Sequence, residues 1–158
     1  MKTMAALQAL FACIALTACQ TMVAQTGSPP PPTKSCKDAD PECNIVVSVG
    51  DAGSGCRISV DHLTVQIDRE RRGKPILWSL DVNGQRDYEF DGGAITFPTA
   101  PAGQFVGGTP MGPGKSRYHV IARNDPAPDP FKYVIKVSKK GGSSACQPGP
   151  LDPWIKNG

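Results

Sequence analysis

The apolar residues of this chain recur at every second position in short runs, and this periodicity restricts the fold more than any other feature. Side chains of a β-strand alternate between two faces, whereas a helix repeats every 3.6 residues, so such runs belong in strands with one face buried. The runs are Asn44 to Val49 (NIVVSV), Ile58 and Val60, Leu63, Val65 and Ile67, then Ile76, Trp78, Leu80 and Val82. Tyr88 with Phe90, Ala94 to Phe97, Arg117 to Arg123 and Phe131 to Val137 follow. After residue 19 no segment of useful length carries a helical period, and there is no internal repeat. Between Val60 and Leu63 the alternation changes phase, which a continuous strand cannot do. A bulge or strand break is therefore expected at Asp61-His62, as where a strand passes from one sheet to another. Asn83-Gly84 between alternating runs predicts a tight hairpin, with Trp78 facing the core. Arg117 to Arg123 and Phe131 to Val137, joined by a Pro-rich turn, predict a second hairpin.

About seven or eight strands with turn signals roughly ten residues apart predict an all-β fold, a single antiparallel β-sandwich. The layout Ile58-x-Val60, Leu63-x-Val65, Ile76-x-Trp78 and Tyr133-x-Ile135-x-Val137 resembles immunoglobulin-like and cupredoxin-like sandwiches. The copper ligands of a cupredoxin do not follow from this resemblance. Cys146 is succeeded by Gln147, Pro148 and Gly149, so no downstream His and Met complete a blue-copper site.

The amino-terminal segment carries an address. Lys2 is followed by an apolar run from Met4 to Leu16, too short to span a bilayer and better read as a signal peptide. It ends in Leu16-Thr17-Ala18-Cys19, which resembles the lipobox of bacterial lipoprotein precursors. The resemblance implies a signal peptide over residues 1–18, diacylglycerol on the Cys19 sulfur and a membrane anchor of two or more acyl chains. By the same resemblance, Gln20 in place of Asp lacks the inner-membrane retention signal, which in a Gram-negative source implies outer-membrane residence facing the periplasm. Residues 19–35 contain Pro29 to Pro32, which favours extended polyproline II, and read as a tether to a domain at 36–158. Residues 20–35 would reach at most about 55 Å fully extended and about 22 Å on average if flexible.

The domain of about 120 residues is long enough for one core. The formal charge of +3 includes Lys2 and gives no reason to expect a nucleic-acid partner. If Cys13 leaves with the signal and Cys19 carries lipid, then Cys36, Cys43, Cys56 and Cys146 remain, which in an exported chain imply two disulfides. Of the three connectivities, Cys36–Cys43 is favoured by proximity and by the Asp40-Pro41 turn, leaving Cys56–Cys146 to tie the start of the domain to its end. The spacing from Cys36 to Cys43 is too wide for a zinc knuckle, and no metal or other cofactor is expected.

Catalytic chemistry finds little support. His62 and His119 are the only histidines, no nucleophile motif is present, and Asp87 with Glu89 reads as a solubilising pair on one strand face. The segment Asp68 to Lys74 (DRERRGK), with Arg69, Arg71 and Arg72, reads as a solvated turn. The expected role is a tethered binding module for another envelope or extracytoplasmic protein, of inhibitor or immunity type. Phe105, Val106 and Met111, on a long Pro/Gly loop from Pro98 to Lys115, and Trp154 in the tail are the candidate contacts. Small disulfide-bridged lipoproteins include lysozyme inhibitors, but the Ser-Gly-x-x-Tyr motif of one such family is absent, because Cys56, Arg57 and Ile58 follow Ser54-Gly55. The alternatives are a structural component of an envelope assembly and a secreted, non-lipidated β-domain. A long exposed strand edge would favour assembly by strand addition, and a small convex contact an inhibitor.

Overall fold

The computed structural model describes residues 34–52, 55–125, 130–142, 145–148 and 151–158. The segment expected to be a signal peptide, Cys19 and the proline tract lie outside the described residues. The architecture is all-β, as the alternation predicts, but its sheets are not one antiparallel sandwich. Strands β1 (Lys34–Cys36), β4 (Thr64–Ile67), β14 (Trp154–Asn157) and β10 (Phe131–Lys132) form a four-stranded sheet in the order β1-β4-β14-β10. A larger sheet runs β6 (Tyr88–Glu89), β12 (Val137–Lys139), β13 (Ala145–Pro148), β3 (Gly55–Val60), β2 (Cys43–Ala52), β5 (Pro75–Leu80), β9 (Arg117–Ala122), β8 (Phe105–Met111). A two-stranded ribbon of β7 (Ile95–Thr96) and β11 (Val134–Ile135) completes the set.

Four of the pairings are parallel: β1 with β4, β14 with β4, β13 with β3, and β2 with β5. Parallel neighbours need long crossovers, and an antiparallel expectation assumes that strands adjacent in sequence pair. Here β2 with β3, β8 with β9 and β12 with β13 are the sequential pairs among the described residues. The tether expected through Ser35 gives way to strand at Lys34. β1 and the carboxy-terminal β14 flank β4 on either side, both running in its direction. One apolar cluster unites the sheets: Ile45, Val47, Ile76, Trp78, Leu80, Tyr118 and Val120 from the large sheet meet Val65, Ile67 and Ile155 from the small one.

The phase change at Asp61-His62 is where the chain leaves β3 and enters β4 in the other sheet. Asp61 secures the crossing, its N–H donating to Val46 O at 3.1 Å and its Oδ1 accepting from Val46 N–H at 2.9 Å. Leu63, expected inside, is instead 40% exposed just before β4 begins.

The Asn83-Gly84 hairpin does not form. Asn83 lies in the right-handed helical region at φ −77°, ψ −45°, and Gly84–Asp87 make a single helical turn, α1. The cause is Asp81, whose Oδ1 accepts the Gly84 N–H at 2.6 Å while its carbonyl accepts the Gln85 N–H at 2.9 Å. This side-chain cap supplies the turn's hydrogen bonds without positive φ. β5 therefore ends at Leu80 and leaves Val82 73% exposed, while Trp78 is buried as expected. The second hairpin is also absent: β9 pairs with β5 and β8, and Phe131 to Val137 is divided among β10, β11 and β12, which join three different sheets.

Both disulfides join the expected cysteines, Cys36–Cys43 and Cys56–Cys146. The charged segment Asp68 to Lys74 is more than a solvated turn. Residues 71–74 form a type II β-turn, with Arg72 at φ −51°, ψ 127°, Gly73 at φ +78° and Lys74 N–H donating to Arg71 O at 2.9 Å. Its Arg71 is buried, at 1% exposure.

Candidate partner surface

The Pro98 to Lys115 stretch, expected as loop, supplies β8 at the end of the large sheet. In β8, Phe105 lies opposite buried Ala122 and Val106 opposite half-buried Ile121, so the two side chains face opposite sides of the sheet. A register shift between Val106 and Thr109 accommodates Gly107 and Gly108, with Gly107 at φ +73°. The extra residue resets the alternation, so Thr109 and Met111 fall beside His119 and Arg117 on the side of Val106. Gly108 is required for a second reason: a Cβ there would stand 2.7 Å from the Tyr118 hydroxyl.

On the inner side, Phe105 stacks on Phe97 with ring centroids 3.7 Å apart and planes within 10°, and meets Phe131 edge-on at 5.4 Å. Phe97 continues the aromatic series to Trp78 and Tyr133, whose rings are 6.2 Å and 6.0 Å away. Beside this stack opens a cleft of about 300 Å³, lined by β7, Phe97, Phe105 and the small residues Ala100 to Gly103. The sequence signals turns across Pro98 to Gly103, yet nothing in it reveals that β7 stands opposite them.

The four candidate contacts do not form one patch. Phe105 lines the cleft, Val106 and Met111 share the outer face of the sheet, and Met111 is 38% exposed. Trp154 belongs elsewhere: it is buried in β14, its backbone N–H donates to Leu63 O at 2.7 Å, and Lys132 Nζ lies 4.7 Å over its ring. Lys132 is in turn paired with Asp152 at 2.9 Å. A cation above the indole face and burial on the other side leave Trp154 a packing residue, which corrects its reading as a contact.

The histidines occupy separate elements. His62 Nε2 is 3.5 Å from Asp61 Oδ2 at the crossing between sheets, whereas His119 sits mid-β9 with a buried Nδ1 that has no hydrogen-bond partner among the described residues. Asp87 and Glu89 do not share a strand face, because Asp87 ends α1 and Glu89 pairs with Lys115 at 3.3 Å. Burial pushes the Tyr133 phenol well above its ordinary range; the Trp78 indole N–H works against that rise, and the Asp61 carboxylate adds to it. Among the described residues no three His, Cys, Asp or Glu side chains gather as metal ligands. No protein-family model matches this chain, and no curated protein matches it.

Proposed function

We propose that the chain is a membrane-anchored envelope lipoprotein, lipidated at Cys19 and held at the outer membrane facing the periplasm. Its domain is a non-enzymatic binding module for another envelope or extracytoplasmic protein, of inhibitor or immunity type. We read its two larger sheets as a distorted relative of a β-sandwich frame, sharing one core. The observation that carries the binding reading is the cleft beside the Phe97–Phe105 stack, where small residues Ala100 to Gly103 leave an aromatic wall open to solvent. An apolar side chain of a partner fits such a site, since aromatic walls gain most from burial and neutral lining groups lose little on desolvation.

The alternative, a structural component joined by strand addition, would draw on β8, a seven-residue strand whose outer edge is unpaired among the described residues. Two features weigh against it. The Gly107-Gly108 bulge twists that edge, and Pro110 offers no N–H to an incoming strand, both of which are devices that discourage edge pairing. The remaining sheet ends among the described residues, β6, β1, β10, β7 and β11, are two or three residues long.

A photoreactive residue in place of exposed Ala102, introduced in intact envelopes, should trap one partner protein. The same probe at Val82, on the exposed turn after β5, should not trap it. Equal recovery from both positions, or from neither, would count against the cleft as the contact.

A further inference from the structure

Arg71 is the one charged side chain among the buried described residues, and no carboxylate among the described residues forms an ion pair with it. A buried guanidinium is tolerated only where acceptors replace its water. Its Nη1 donates to Lys37 O at 2.9 Å and Asp40 O at 2.6 Å, and its Nη2 to Pro75 O at 3.2 Å. The first two carbonyls belong to the small ring closed by Cys36–Cys43. The same ring is tightened by Lys37 N–H on Asp40 Oδ2 at 2.7 Å and Asp40 N–H on Lys37 O at 3.1 Å. Outside it, Lys74 Nζ reaches Asp38 Oδ1 at 2.5 Å, and Asp68 N–H donates to Cys36 O at 3.0 Å.

We propose that the Cys36–Cys43 disulfide and the Arg71 guanidinium form a redox-responsive latch that fastens β1, where the chain enters the domain, onto β4. The disulfide keeps the Lys37 and Asp40 carbonyls on the buried cation. The cation, by gathering those carbonyls, brings the two thiols within bonding reach. When a dithiol reductant transfers two electrons and two protons, the Cys36–Cys43 bond becomes two thiols and the reductant closes its own disulfide. The freed loop then withdraws its carbonyls, the guanidinium must be hydrated, and the 68–74 turn opens together with β1. Cys56–Cys146, which bridges β3 and β13, has no buried charge among the described residues depending on it. The latch does not rest on the lipoprotein reading.

Because coupling is reciprocal, whatever Arg71 contributes to loop closure the disulfide contributes to holding Arg71. The test uses the full chain with Cys13→Ser and Cys19→Ser, equilibrated in glutathione redox buffers, with Cys36–Cys43 quantified by alkylation and mass spectrometry. Arg71→Lys keeps the charge but loses the fork and should weaken closure about tenfold or more. Arg72→Lys, whose parent side chain is exposed and pairs with Asp125, should leave it unchanged. Equal closure in Arg71→Lys and the parent overturns the proposal. Should Arg71→Lys fail to fold, hydrogen exchange on the parent decides. After reduction of Cys36–Cys43, exchange should quicken at 34–37 and 68–74 while Ile76 to Leu80 stays protected. Unchanged exchange, or loss of protection throughout, contradicts a latch.

Discussion

At Gly73 the backbone holds φ +78° in the second central position of a type II turn, and nothing lies within 4 Å of where a Cβ would stand. Gly73→Ala therefore isolates the conformational cost and should lower stability by about 1 kcal/mol in urea unfolding, with no packing change. Tyr133 gives a pH signature. Its folded-state phenol is pushed upward by burial, so the folded protein holds that proton more tightly than the unfolded chain does. The stabilisation is complete below the ordinary tyrosine value of 10.0 and is lost as pH rises above it. Denaturation midpoints should fall from about pH 10 upward, and Tyr133→Phe should flatten that fall. Trp78 was legible as core because it sits in phase with Ile76 and Leu80. Arg71 was not, since within DRERRGK nothing distinguishes the one arginine that meets backbone carbonyls from Arg69 and Arg72, which stay exposed.

Elements were legible where alternation alone decides the outcome. The phase break at Asp61-His62 became a change of sheet because period two can change phase only through a bulge or a break, and here the chain breaks between β3 and β4. Asn83-Gly84 failed because a carboxylate three residues before Gly84 captured its N–H, a competition between local caps that pair statistics do not weigh. Phe131 to Val137 reads as one strand, yet its three pieces enter three sheets, since alternation fixes which side is buried and not which neighbour pairs. The edge strand β8 yields a prediction at this scale. Pro110→Val restores a backbone donor on the free edge beyond the bulge, and should raise self-association measured by light scattering against concentration. An unchanged monomer fraction would mean that the Gly107-Gly108 bulge suffices to guard the edge.

Across the whole molecule, β4 is gripped from both sides by β1 and β14, the first and last described strands, which lie far apart in sequence. Deleting residues 154–158 removes the strand that joins β4 to β10, together with buried Trp154 and Ile155. The shortened chain should be cleaved by protease under conditions where the parent resists. The disulfide partners were predictable from spacing, because one close pair leaves a single remaining pair. In the chain-entropy picture the Cys56–Cys146 bridge, with 90 residues of separation, contributes about 4.6 kcal/mol. The shorter Cys36–Cys43 bridge contributes about 2.5 kcal/mol in the same picture. Removing the long bridge should therefore lower global stability more, while removing the short one loosens β1. The proposed lipid anchor is a property of the entire chain, and it accounts for Cys19, the cysteine left over if Cys13 leaves with the signal and the other four are paired. Fatty-acid labelling with membrane fractionation, comparing the full chain with Cys19→Ser in bacterial cells, tests it most directly. The account predicts a labelled, membrane-bound parent and an unlabelled, released variant; an unlabelled parent, or a variant that fractionates with membranes as the parent does, would contradict it.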